Sequence, residues 1–219
     1  MEQAQQKICK AGRPRRGTEL ERMDALIQAA TRIFLKEGYG LASIDKIATE
    51  AGISTRTIYE RFKNKADLMA AVVERLMSRD MAQMFENQQI DHLEPAAALT
   101  LIAETVVNRF CDADSAALFR IVATEAHRFP ELSDKVRCAN RLRFEAKLST
   151  YFRRQTERGL FALDDPDRAA HLFFHLIAAD LQECLLFEPA GSIGRVDWPR
   201  HIKTTVHLFL FGATPRPIG

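Results

Sequence analysis

Apolar residues recur along most of the chain at intervals of three and four, the spacing that gathers them on one face of an α-helix. No alternating run is long enough to build a sheet, so the pattern predicts an all-α protein. Thr18 and Glu21 form a T-x-x-E capping pair that opens a first helix. Leu26, Ala30, Ile33 and Phe34 are its apolar stripe, and Gly38 ends it. A second, short helix starts after the N-cap Ser43, with Ile44, Ile47, Ala48 and Ala51 on one side. Gly52 stops it, because glycine accepts the positive φ of a tight turn. Ser54 caps a third helix with Ile58 and Phe62 on its inner face, and Asn64 caps a fourth from Lys65 to about Gln88. Later helices are expected over Pro95–Cys111, Ser115–Arg128, Pro130–Arg158, Pro166–Phe187 and Pro199–Phe211. Gly159 and Gly212 act as stop signals, Glu188–Asp197 reads as a loop, and residues 1–17 read as a flexible basic arm.

A chain of 219 residues, 47% apolar and 27% charged, has the composition of a globular protein with a buried core. No apolar run reaches the ~20 residues that span a bilayer, so no membrane partner is expected. The polar, basic start lacks the apolar stretch of a secretory signal, which points to the cytoplasm. Cys9, Cys111, Cys138 and Cys184 are scattered without a CxxC pair and read as free thiols in a reducing compartment. The formal net charge of +2 divides unevenly. Residues 1–70 carry thirteen Lys/Arg against nine Asp/Glu, and the rest carry eighteen against twenty. The positive end is where a polyanion would bind.

The informative stretch is SIDKIATEAGISTRTIYERFKNK, Ser43–Lys65. Two short helices joined through AGIS fit a helix-turn-helix. Ala48 is small where the second helix crosses, Gly52 makes the turn, and Ile47, Ile53 and Ile58 fill the wedge. The second helix is then free to present Thr55, Arg56, Thr57, Tyr59 and Arg61 to a major groove, which is wide enough for an α-helix. Arg56 suits a bidentate pair with guanine N7 and O6.

The run from Leu26 to Leu68 resembles the TetR family of bacterial regulators. Its landmarks are Ala29, Ala30 and Phe34, then EGY (Glu37–Tyr39), IA-x-x-AG (Ile47–Gly52), IY-x-x-F (Ile58–Phe62) and K-x-K-x-x-L (Lys63–Leu68). The resemblance implies a three-helix DNA-binding domain over 18–66 and a helical ligand-binding and dimerisation bundle over 67–219. It implies phosphate contacts by Tyr59 and Lys65, the latter at a helix N-terminus that favours an anion. Ser43 and Ser54, at helix starts, add two more. Thr55, Arg56 and Thr57 reach base edges; Arg61 stays open between base and phosphate. Glu60 would repel a phosphate unless it meets a cytosine amine or a neighbouring base. GRPRR in the arm resembles basic extensions of some members, and Lys10, Arg13, Arg15 and Arg16 suit a minor groove.

Fourteen phenylalanines are present, twelve of them after the helix-turn-helix, and so bulky an apolar interior can enclose a cavity. Phe85, Phe110, Phe119, Val122, Phe144, Leu148 and Phe174 are its candidate lining, with His127, Arg128 and Glu125 as polar contacts. The expected effector is a small apolar or aromatic compound. The stretch Phe119–Val136 resembles the C-terminal domain of AefR-like members. In relatives the last two helices form a four-helix homodimer interface, for which Leu172, Phe173, Leu176, Leu185, Val206, Phe209 and Leu210 are candidates.

His171 and His175, at i and i+4, raise a metal site, but without an HExxH arrangement they read as satisfied core or interface histidines, and no metal or cofactor is expected. No paired ExxH, G-x-S-x-G or glycine-rich phosphate loop occurs, which argues against an enzyme. The expectation is a transcriptional regulator, a repressor that leaves a near-palindromic double-stranded operator when an effector binds. The alternative is a DNA-binding relative with a chromosomal role outside transcription.

Overall fold

The computed structural model describes residues 19–86, 89–188 and 196–212. Among these, ten α-helices follow in order: α1 Glu19–Leu41, α2 Ile44–Ala51, α3 Thr55–Tyr59, α4 Lys65–Glu86, α5 Pro95–Cys111, α6 Ala113–Glu125, α7 Pro130–Arg137, α8 Arg143–Glu157, α9 Pro166–Phe187 and α10 Trp198–Phe211. A 3-10 turn, Gln89–His92, precedes α5, and a π-helical turn, Cys138–Leu142, joins α7 to α8. No strand occurs among the described residues, in keeping with the all-α expectation. Thr18, the basic arm and residues 189–195 lie outside the described residues.

Some element boundaries differ from the sequence pattern. The helix expected from Ser115 starts at Ala113, because Asp112 is the cap: its carboxylate accepts from the Ser115 N–H at 3.0 Å and the Ser115 hydroxyl at 2.9 Å. The single helix expected over Pro130–Arg158 is interrupted by the π turn. There the Asn140 amide donates to the Val136 carbonyl at 2.9 Å, in competition with the backbone ladder. Gly38, with φ 76° and ψ 174°, breaks the helical path of α1 as the pattern predicts, and one further turn carries the element on to Leu41.

The described residues form two apolar cores. The first joins Leu26, Phe34, Ile47 and Ile58 of α1–α3 to Leu68, Met69 and Val72 of α4. It reaches past residue 66 and takes in Leu118 of α6 and Leu132 of α7. The second fills the bundle with Ile102, Val106, Phe152, Phe173, Ile177 and Leu181 from α5, α8 and α9. The far end of α4 reaches this second core through Met84 and Phe85. Thus α4 belongs to both cores, and any shift along it is felt at α1–α3. By length and composition alone α9 could cross a bilayer, which the sequence pattern did not suggest. Its Phe173, Phe174, Ile177, Ala178 and Leu181 are buried inside the bundle.

Candidate nucleic-acid interface and cavity

Each short helix of the α2–α3 pair is fixed by its caps. Ser43 accepts from the Lys46 N–H at 3.3 Å. Gly52 takes φ 67°, and Ile53 donates back to the Ala48 carbonyl at 3.0 Å, closing the turn. Ser54 accepts from the Thr57 N–H at 3.1 Å, and its hydroxyl shares a 2.9 Å hydrogen bond with that of Thr57. Ile58 is fully buried and pins the inner side of α3. Arg56, Thr57 and Tyr59 are exposed and Thr55 half-exposed. The regular helix is only five residues long, yet hydrogen bonds from Arg61 and Phe62 to the Ile58 carbonyl continue the turn.

Two of the outward cations are already paired. Arg56 Nε meets Glu60 Oε1 at 3.0 Å, and Arg61 pairs with Glu19 at the start of α1. Exposed pairs of this kind are worth about 0–1 kcal/mol, so exchange for a phosphate or base costs little. Glu60 therefore holds Arg56 when no anion is near.

Lys65 differs from its expected role. Its Nζ donates to the carbonyls of Tyr39 (2.6 Å) and Ala42 (2.8 Å), with a longer contact to Gly40 (3.4 Å). It also lies 4.4 Å from the centre of the Tyr39 ring. Burial lowers its pKa, and Glu125 opposes that. The ammonium caps the end of α1 and is not a free hand for phosphate; the α4 terminus keeps only its backbone N–H groups for an anion.

A cavity of about 540 Å³ opens between α4, α5, α6, α7, the π turn, α8 and α9. Of the expected lining, Phe110, Phe119, Val122, Phe144 and Phe174 are present. Phe85 packs behind Phe144, ring centres 6.0 Å apart, and is not in the wall. Leu148 is fully buried in the core, and His127, Arg128 and Glu125 lie away from the cavity. Sequence reasoning missed the cations: among the described residues Arg109, Arg137, Arg141, Arg143 and Lys147 all border it, against one acid, Glu74. Four of them recur at i, i+4 pairs within Arg137–Lys147, a signal legible in the sequence. Arg143 is paired with Glu74, tying α8 to α4. Lys135 meets Asp67 at 2.7 Å and ties α7 to α4 as well. Phe129 stands edge-on to Tyr39 at 5.0 Å. The cavity wall is thus linked to the helix that carries α1–α3.

Of the candidates for a homodimer face, Leu172 and Leu176 are exposed. Phe173, Leu185 and Val206 are buried within the chain, so they are core rather than surface. Phe209 stacks on Phe152 at 5.4 Å and packs with Leu210 against the same core. The exposed apolar residues of α9 and α10 also include Leu186, Phe187, Leu208 and Phe211, which the sequence pattern did not single out.

Comparison with known proteins agrees with these features. Residues 26–72 match the family described as bacterial regulatory proteins, tetR family. Residues 97–212 match the AefR-like transcriptional repressor, C-terminal domain. Over 68 residues the chain is 41% identical to the HTH-type transcriptional activator FasR of Mycolicibacterium smegmatis, covering 30% of this chain and 31% of that protein. The chain therefore spans about a third of the length of this curated relative. A solved chain from Mesorhizobium loti, described as a TetR-family transcriptional regulator, superposes with a TM-score of 0.71 at 27% identity, covering 89% of this chain and 98% of that one. FadR from Bacillus subtilis, solved with stearoyl-CoA, shares the fold at a TM-score of 0.64 and 21% identity, covering 88% of this chain and all of that one.

Proposed function

The chain belongs to the TetR family of bacterial regulators, and from that premise we propose that it binds a near-palindromic operator as a homodimer and releases it when an effector fills the cavity. The observation that carries the DNA reading is the outward face of α3. Arg56, Thr57 and Tyr59 are exposed beside a fully buried Ile58, as a rod that enters a major groove requires. Thr55, Arg56 and Thr57 read base edges; Tyr59, Ser43 and Ser54 hold phosphates, and Arg61 joins them once it leaves Glu19. Leu172, Leu176, Leu208 and Phe211 meet their copies across a two-fold axis, which sets the spacing of the reading heads.

The cavity supports a more specific effector than an apolar or aromatic compound. Its floor is apolar, from Val106, Phe110, Phe119 and Phe174, and its border carries five cations. An amphiphile with an apolar body and an anionic group fits both. FadR of B. subtilis, solved with stearoyl-CoA, holds a molecule of that chemistry. The anionic group takes Arg143 from Glu74, which loosens α8 from α4 and lets α4 carry α1–α3 out of register. An effector acts only through such a preference for one conformation. Repression is the expected direction, although the FasR relative is an activator.

Selection of duplexes from a random pool tests the DNA reading. The expected product is a two-fold site with half-sites one or two helical turns apart, and its complex dissociates on addition of lauroyl-CoA. A pool that enriches no common sequence would overturn the DNA reading. Release by a neutral flavonoid but not by lauroyl-CoA or dodecanoate would overturn the effector reading alone.

A further inference from the structure

Glu145 of α8 and His171 and His175 of α9 converge on the seam between the two helices. One ligand atom from each lies within 4.8 Å of the other two. His171 Nδ1 is 3.3 Å from Glu145 Oε1, and the two imidazole rings are 4.4 Å apart and edge-on. All three residues are half-buried, neither sealed in the core nor fully solvated. We propose that these three side chains form a site for a divalent transition metal of the zinc, cobalt or nickel type, bridging α8 and α9 behind the cavity wall.

The residue types fit. Two neutral imidazoles and a carboxylate are a common three-ligand set for zinc, and they leave a fourth position for water. Zinc ligands stand about 2.0–2.2 Å from the ion and hence roughly 3.5 Å from one another, so small rotations of the side chains close the set. Placement at i and i+4 puts both imidazoles on one side of α9.

A second observation is the state of the carboxylate itself. Glu145 Oε1 is buried and accepts no hydrogen bond. His171 and Arg141 Nε, at 3.3 and 3.5 Å, are within ion-pair distance of it, yet neither is aligned to donate. Arg141 Nε is itself buried without a hydrogen-bond partner. A buried carboxylate oxygen left without a donor is costly, and a metal ion would satisfy it. Imidazole nitrogens suit zinc, cobalt and nickel, whereas calcium and magnesium take oxygen ligands, so the donor set selects against the latter pair.

The test uses the full chain without an added polyhistidine tag, stripped with chelator and titrated with cobalt(II). The expected result is one ion per chain with the visible absorption of a tetrahedral nitrogen–oxygen site, displaced by zinc. His175→Gln and Glu145→Gln each weaken binding by at least about tenfold, which is the low end for disturbing a metal site. The double substitution Cys111→Ser and Cys138→Ser, two exposed thiols outside the site, leaves it unchanged. Thermal unfolding in chelator shows that each variant folds; should Glu145→Gln not fold, His175→Gln decides alone. No saturable absorption, affinity unaltered in His175→Gln, or binding that follows the cysteines would each overturn the proposal.

Discussion

Replacement of Lys65 by methionine separates two roles for one side chain. The structure assigns its ammonium to the carbonyls of Tyr39 and Ala42, at 2.6 and 2.8 Å. Methionine keeps most of the stem and removes the charge. Each hydrogen bond to a charged group is worth about 1.5–3 kcal/mol net, and the contact over the Tyr39 ring adds about 0.5–1 kcal/mol. The desolvation that lowers the Lys65 pKa is recovered on substitution and offsets part of this. A net loss of about 2–3 kcal/mol lowers the melting temperature of a chain this size by roughly 4–12 °C. The assay pairs a thermal melt with a salt titration of operator binding at a temperature where both proteins are folded. A lysine that neutralises phosphate behaves oppositely: stability is unchanged, and the slope of log affinity against log salt shrinks by about 0.9 for each phosphate left without its cation. An unshifted melt together with the smaller slope would refute the capping role.

Other expectations follow from the same geometry. Leu176→Arg, on the exposed side of α9, converts the dimer to monomer in sedimentation with little change in urea midpoint, whereas Phe173→Ala, one turn earlier and fully buried, costs about 3–5 kcal/mol of stability without weakening association. Arg143→Gln weakens lauroyl-CoA binding by about tenfold, or about 1.4 kcal/mol, and Glu74→Gln strengthens it by removing the competing carboxylate; calorimetric titration reads both. Burial pushes Tyr39 and Tyr151 up from 10.0 to about 12, with Glu131 and Asp67 adding to the first and Asp91 to the second. Between pH 10 and 12 the folded chain holds these protons and the unfolded chain does not, so stability falls there by at most about 1.4 kcal/mol per pH unit for each tyrosine. Lys65 acts oppositely, adding stability as pH rises towards its ordinary 10.5, so urea midpoints drop most steeply above that value.

The helical fold and the α2–α3 turn were legible because local chemistry decides them. Ser43, Gly52 and Ser54 each cap or turn the chain by bonds within four residues of themselves. What depended on neighbours distant in sequence was not legible. Lys65 looked like a free cation at a helix start until the fold brought Tyr39 and Ala42 beside it. Phe173, Leu185 and Val206 are as apolar as Leu172 and Leu176, and only the angle of each helix against the bundle decides which side faces out. The π turn at Cys138–Leu142 carries no proline or glycine to announce it. The basic border of the cavity was within reach, because Arg137, Arg141, Arg143 and Lys147 share one helical arc; the abundance of phenylalanine points only to the apolar floor.

The claim on which the rest depends is that the outer side of α3 reads sequence. Its most direct measurement is a competition titration, by fluorescence anisotropy, of Arg56→Ala on the selected operator and on the same duplex with single base changes in each half-site. Arg56→Ala is expected to bind these duplexes alike at the position it contacts, losing about 1–3 kcal/mol of discrimination there while keeping preference elsewhere. An Arg56→Ala protein that retains the full preference of the parent at every position would contradict it.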